Sequence, residues 1–240
     1  MIRSLWLTAR VYVDPLMAVP RKVADRRWVI PVLWLALTCA ASGAAFASRV
    51  DPAAEVISQM EQSGELAKAT DREISEEVQK AERVALVGGI AKGVFGMPLT
   101  VLLLSVLVRL AVWLIGKKTT FSAVFTAVSV AMLPLALAYL VSAFAALRQD
   151  VLSPQQSGQL LVTSLSQLMH PSSPVAAKLL GVVELFKLWT VLLLGLGLAE
   201  ATRMHKAKGL AFAITLYLLF SGFVSIGLPA MMQGGGGGPK

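Results

Sequence analysis

Residues 94–116 read VFGMPLTVLLLSVLVRLAVWLIG, and their length and composition decide the fold. A helix rises about 1.5 Å per residue, so crossing a hydrocarbon core of roughly 30 Å takes about 20 mostly apolar residues. This stretch meets that length with one charge, Arg109. Working outward, residues 28–48, 121–147 and 209–231 are as long and carry no acidic residue, and 178–199 holds only Glu184 and Lys187 near its start beside Lys178. Across its 240 residues the chain is 56% hydrophobic and 15% charged, with mean hydropathy +0.69, a balance in which lipid is the solvent. Folding such helices in water would need a polar, amphipathic coat that is missing. The expected fold is all-α: a polytopic membrane protein with a bundle of five transmembrane helices and an extra-cytoplasmic, helical hairpin-like segment between helices 1 and 2. Residues 1–27 form a basic amphipathic segment, 28–232 the transmembrane domain and 233–240 a flexible Gly-rich tail.

Orientation follows from the basic residues, because short loops rich in Lys and Arg stay on the cytoplasmic side. Arg3, Arg10, Arg21, Lys22, Arg26 and Arg27 precede the first span. Lys117 and Lys118 follow the second, and Arg203, Lys206 and Lys208 follow the fourth. The segment 49–83 holds nine acidic residues against five basic ones. The N-terminus is therefore expected in the cytoplasm and the C-terminus outside, across a bacterial inner membrane. The net charge of +8 expresses this bias; it gives no warrant for nucleic-acid binding, which would want interleaved aromatics on a solvated face. A secretory signal is the competing reading of the first span, because Ala45-Phe46-Ala47 imitates a cleavage site. The long basic flank with Pro15 and Pro20, and the length of the apolar run, favour a retained helix. Cys39 lies alone in that span, so no disulfide can form within the chain.

Between the first two spans, Thr70-Asp71-Arg72-Glu73 matches a capping box, in which hydroxyl and carboxylate satisfy the donors at a helix start. Ile74, Val78, Ala81 and Ala85 continue from it at helical spacing, so this helix can run straight into the second span. A shorter helix covers 53–60, with Gly64 ending it. Gly89, Gly93 and Gly96 offer a smooth face for close helix packing, within the monomer or in a homo-oligomer. In 148–177, Leu161, Leu165 and Leu168 share a helical face, which suits an interfacial helix or an ordinary packing helix equally.

Charges within spans are functional candidates because placing them in lipid is costly. Arg109 is near enough to Lys117 for its side chain to snorkel to the head groups. Glu184 and Lys187, spaced i, i+3, can neutralise each other across one turn. No phosphate-binding glycine loop, zinc motif or nucleophile elbow is present, and His170 and His205 fall on opposite predicted sides. No catalytic residue, metal or cofactor is expected.

Tyr12-Val13-Asp14-Pro15-Leu16, Pro20-Arg21-Lys22 and Arg27-Trp28-Val29-Ile30-Pro31 open the chain. Later come Gln59-Met60-Glu61, Gly116 before a Phe121-opened span containing Pro134, and Leu185-Phe186-Lys187-Leu188-Trp189 leading to Gly195-Leu196-Gly197-Leu198. In this order, over residues 8–232, they resemble bacterial members of the Yip family, membrane proteins named for interacting with Ypt/Rab GTPases. The resemblance implies five spans, a cytoplasmic N-terminus and no catalytic residue. Its eukaryotic members serve membrane traffic and organelle shape. Their Asp-Leu-Tyr-Gly-Pro motif is absent here, and with it the warrant for GTPase binding.

The leading functional expectation is a non-enzymatic membrane protein that recruits partners or organises the bilayer. Trp6, Arg10, Arg21 and Lys22 would meet the anionic lipid surface, with other membrane proteins or a second copy as further partners. The alternative is a transporter, or an accessory subunit of one, with Glu184, Lys187 and Arg109 facing a pathway. Against it, the sequence shows no clear internal repeat and few polar groups at midplane. An intramembrane enzyme ranks last, since no paired Asp, Ser-His arrangement or metal cluster is visible.

Overall fold

The computed structural model describes residues 2–66, 69–149 and 184–222, and among them the regular structure is helical, with no β-strand. The helices are α1 (Ile2–Val13), α2 (Pro15–Ala24), α3 (Val29–Ala47), α4 (Ala53–Ser63) and α5 (Asp71–Ala91). A π-helical turn, Lys92–Gly96, leads into α6 (Met97–Leu114), followed by α7 (Phe121–Ala131), α8 (Leu133–Leu147), α9 (Leu185–Thr202) and α10 (Lys206–Gly222). Among the described residues four helices are long and apolar enough to cross a membrane: Val29–Ala47, Asp71–Leu114, Phe121–Leu147 and Leu185–Thr202. The expected fifth span is helical from Lys206 to Gly222, and its remainder, like the leucine-rich segment at 150–177, residues 178–183 and the Gly-rich tail, lies outside the described residues.

Local chemistry explains the boundaries. Thr70 caps α5 as expected, its hydroxyl accepting from the Glu73 N–H while its own N–H donates to the Glu73 carboxylate at 2.7 Å. Gly64 closes α4 at φ +72°, a left-handed conformation that costs glycine little. From Asp71 the helix continues for 44 residues into the second span. Its π turn lies just before Pro98, which has no N–H to give and crowds the preceding turn. The third span is less regular than its sequence suggests. Met132 interrupts it between α7 and α8, because Pro134 cannot donate to the preceding turn, and Leu135 instead donates to the Met132 carbonyl at 3.0 Å.

The chain divides into two compact units, Met1–Pro31 with Val101–Leu135 and Val162–Lys240, and Val32–Thr100 with Ala136–Leu161. In the second, α3 and α5 pack backbone to backbone. A Cβ at Gly89 would lie 2.7 Å from the Gly43 carbonyl oxygen, and one at Gly93 would collide with the backbone of Ala40. These two expected packing glycines thus work within the monomer. Gly96 does not join them; a Cβ there would meet only the Lys92 side chain, at 3.7 Å.

Candidate functional site

The first unit carries the candidate site, a helical hairpin made by α1 and α2. Only Asp14 separates the two helices, and its carboxylate accepts from Arg10 at 2.8 Å, so the charges at the turn neutralise each other. Pro15 starts α2 without forfeiting a needed hydrogen bond. The helices run antiparallel, bringing Lys22 back to Ser4, where Nζ and Oγ are 3.5 Å apart.

The inner face buries Leu7, Val11, Ala18, Val19 and Val23. The outer face is apolar as well: Val13 is 87% exposed, Trp6 56%, and Leu5, Leu16 and Met17 about half. Arg10 stacks on Trp6, its guanidinium carbon 5.0 Å from the ring centroid. Arg21 is exposed. Lys22 departs from the expectation that placed it on the lipid surface with Arg10 and Arg21, for it is 0% exposed. Burial, with the Arg27 charge as the second cause, lowers its pKa from 10.5 to about 8. Helical phase explains the difference: Lys22 is three and four residues beyond Val19 and Ala18, on the stripe that faces inward.

The hairpin is docked along α7 and α9 rather than standing apart. Near its open end, Trp28 meets Phe125 edge to face, centroids 5.1 Å apart. Near its turn, the Tyr12 hydroxyl donates to the Leu133 carbonyl at 2.9 Å, and the Tyr12 ring meets Trp189 edge-on at 6.1 Å. Two quoted sequence stretches far apart in the chain thus touch.

Glycines set the spacing around α9. Two residues turn a helix by about 200°, so Gly195 and Gly197 point to opposite sides. A Cβ at Gly195 would lie 2.7 Å from Leu210 Cα on α10, and one at Gly197 would lie 2.9 Å from Ala127 on α7. Gly209 reciprocates towards Gly195 and Ala199. The connection after α6 is tied to the end of α9 by Thr119, whose hydroxyl donates to the Ala201 carbonyl at 2.9 Å. Lys117 and Lys118 therefore lie at the same end as Arg203 and Lys206.

The three candidate intramembrane charges, Arg109, Glu184 and Lys187, each have a partner. Arg109 reaches back to the end of its helix and donates to the Thr119 carbonyl at 3.0 Å, the snorkelling geometry. Lys187 and Glu184 form an ion pair at 2.6 Å at the start of α9. No group of His, Cys, Asp and Glu among the described residues is placed to hold a metal.

The family model described as the Yip1 domain matches residues 9–228. No curated protein and no solved structure matches the chain.

Proposed function

Because this chain belongs to the Yip1-domain family and is an integral membrane protein with several spanning helices, we propose that it is a non-enzymatic organiser of the bilayer, with α1 and α2 entering one leaflet as a re-entrant wedge. The contact of Tyr12 with Leu133 and Trp189 carries the reading. Leu133 is twelve residues beyond Phe121, and Trp189 twelve before Ala201; each interval spans about 18 Å along its helix. Thr119 bonds Ala201, so both distances start from the same end. The hairpin turn therefore sits more than half-way into a hydrocarbon core of roughly 30 Å.

Charge supports this depth. Arg3 begins α1, and Arg21, Lys22, Arg26 and Arg27 lie at the end of α2 or just after it, all at the hairpin's open end. Arg10 and Asp14, the charges near the turn, are paired with each other. An apolar outer face on a helix whose inner face is already packed suits lipid, not water. A wedge in one leaflet spreads the head groups on that side and favours curvature. Arg26, Arg27, Lys117, Lys118, Arg203, Lys206 and Lys208 gather at that end, which the positive-inside rule assigns to the cytoplasm of a bacterial inner membrane.

The test is a depth measurement on the full chain in nanodiscs, with Cys39→Ala and a spin label at Val13→Cys or at Ala24→Cys. The label at 13 is expected to collide with oxygen more than with a water-soluble nickel chelate, and the label at 24 to do the reverse. Equal nickel access at the two positions would sink the wedge and return the segment to the membrane surface.

A further inference from the structure

An open groove of about 410 Å³ lies at the C-terminal end of α6, lined by Val106, Arg109, Leu110, Trp113, Lys117, Lys118 and Thr119. Three cations face it, and no carboxylate is among the lining residues. The local fold holds them in place. Gly116, at φ +72°, ends the helix, with its N–H on the Trp113 carbonyl at 2.9 Å and that of Lys117 on the Val112 carbonyl at 3.2 Å. The chain then doubles back, and Thr119 takes one N–H of Arg109 on its carbonyl while donating its hydroxyl to Ala201. The remaining guanidinium donors and two exposed ammonium groups stay available around Trp113, itself 68% exposed.

We infer that this groove binds the phosphate of an anionic glycerophospholipid, with Arg109, Lys117 and Lys118 around the head group and the acyl chains laid along the exposed Val106, Leu110 and Leu103 side of α6. Charge complementarity selects a phosphate, and basic recesses at the ends of spanning helices suit anionic head groups. Free phosphate would gain nothing from the apolar floor below the cations, whereas a lipid uses both. Trp113 is of the type that settles where hydrocarbon meets head group. The inference rests on α6 being a membrane span and is independent of the depth of the α1–α2 hairpin.

Native mass spectrometry of the full chain in mild detergent, titrated with phosphatidylglycerol or phosphatidylcholine, tests it. Phosphatidylglycerol is expected to bind in preference to phosphatidylcholine, and inorganic phosphate not to displace it. Lys117→Gln with Lys118→Gln should weaken phosphatidylglycerol binding by about 25-fold, at about fivefold for each cation near the surface. Arg72→Gln with Lys80→Gln removes the same charge from α5 and should leave binding unchanged. Equal binding of the two lipids, displacement by inorganic phosphate, or an equal loss in the α5 variant would overturn the assignment. The substituted side chains are all exposed, so the fold survives their replacement.

Discussion

Gly88 and Gly89 are neighbours in α5, and alanine at the two positions should act in opposite directions. A Cβ at Gly88 meets nothing within 4 Å, so Gly88→Ala removes only the entropic penalty of glycine in a helix, a gain of about 0.5–1 kcal/mol. At Gly89 the same gain is set against a Cβ 2.7 Å from the Gly43 carbonyl oxygen, and at Gly93 against the backbone of Ala40. Backbone in a helix cannot turn aside as a side-chain tip does. Overpacking of this kind costs about 1–3 kcal/mol, so Gly89→Ala and Gly93→Ala should lose roughly 0.5–2 kcal/mol net. Cys39 supplies the assay. It is the only cysteine, it is buried at 5% exposure, and it adjoins the residue that Gly93 touches. Its reaction with a fluorogenic maleimide during a thermal ramp in detergent reports the parting of α3 from α5. At about 2–4 °C per kcal/mol for a chain of this size, the midpoints should fall in the order Gly88→Ala, wild type, then Gly89→Ala and Gly93→Ala. A Gly93→Ala protein melting with or above Gly88→Ala would falsify the packing argument.

Two further outcomes are expected. Lys22 has a folded pKa near 8 against an ordinary 10.5, so the unfolded chain binds the extra proton between those values and Lys22's contribution to stability rises with pH across that window. Below about pH 8 both states are protonated, and the buried ammonium costs about 3 kcal/mol. Lys22→Met should therefore be more stable than wild type at pH 7, with the advantage shrinking towards pH 10.5; a pH-independent difference in melting midpoints would contradict this. Thr70→Ala removes the hydroxyl that accepts from the Glu73 N–H at the start of α5, while the backbone N–H of residue 70 can still donate to the Glu73 carboxylate; the loss should cost about 1 kcal/mol, read as faster amide exchange over residues 71–75. Unchanged exchange there would show that the cap holds nothing.

Much of the fold can be read without coordinates because lipid imposes simple rules. Apolar runs of sufficient length become helices, since a backbone in hydrocarbon has no other way to satisfy its hydrogen bonds locally. The capping box at Thr70, the stop at Gly64 and the continuation of α5 into the span are local matters, and each stands where local chemistry puts it. The close approaches of Gly89 and Gly93 were legible as small-residue spacing; their partners, Gly43 and Ala40, were not, because spacing on one helix does not name the other.

The sequence by itself determined that this is a helical membrane protein, roughly where its spans lie, and to which family it belongs. Tertiary structure alone decided the use of the N-terminal segment. Its two helices are apolar on both faces, and composition cannot distinguish a face for protein from a face for lipid. Only packing shows Lys22 reaching Ser4, Tyr12 reaching Leu133 and Trp189, and Thr119 tied to Ala201. Such contacts join residues distant in the chain, and no local propensity encodes them.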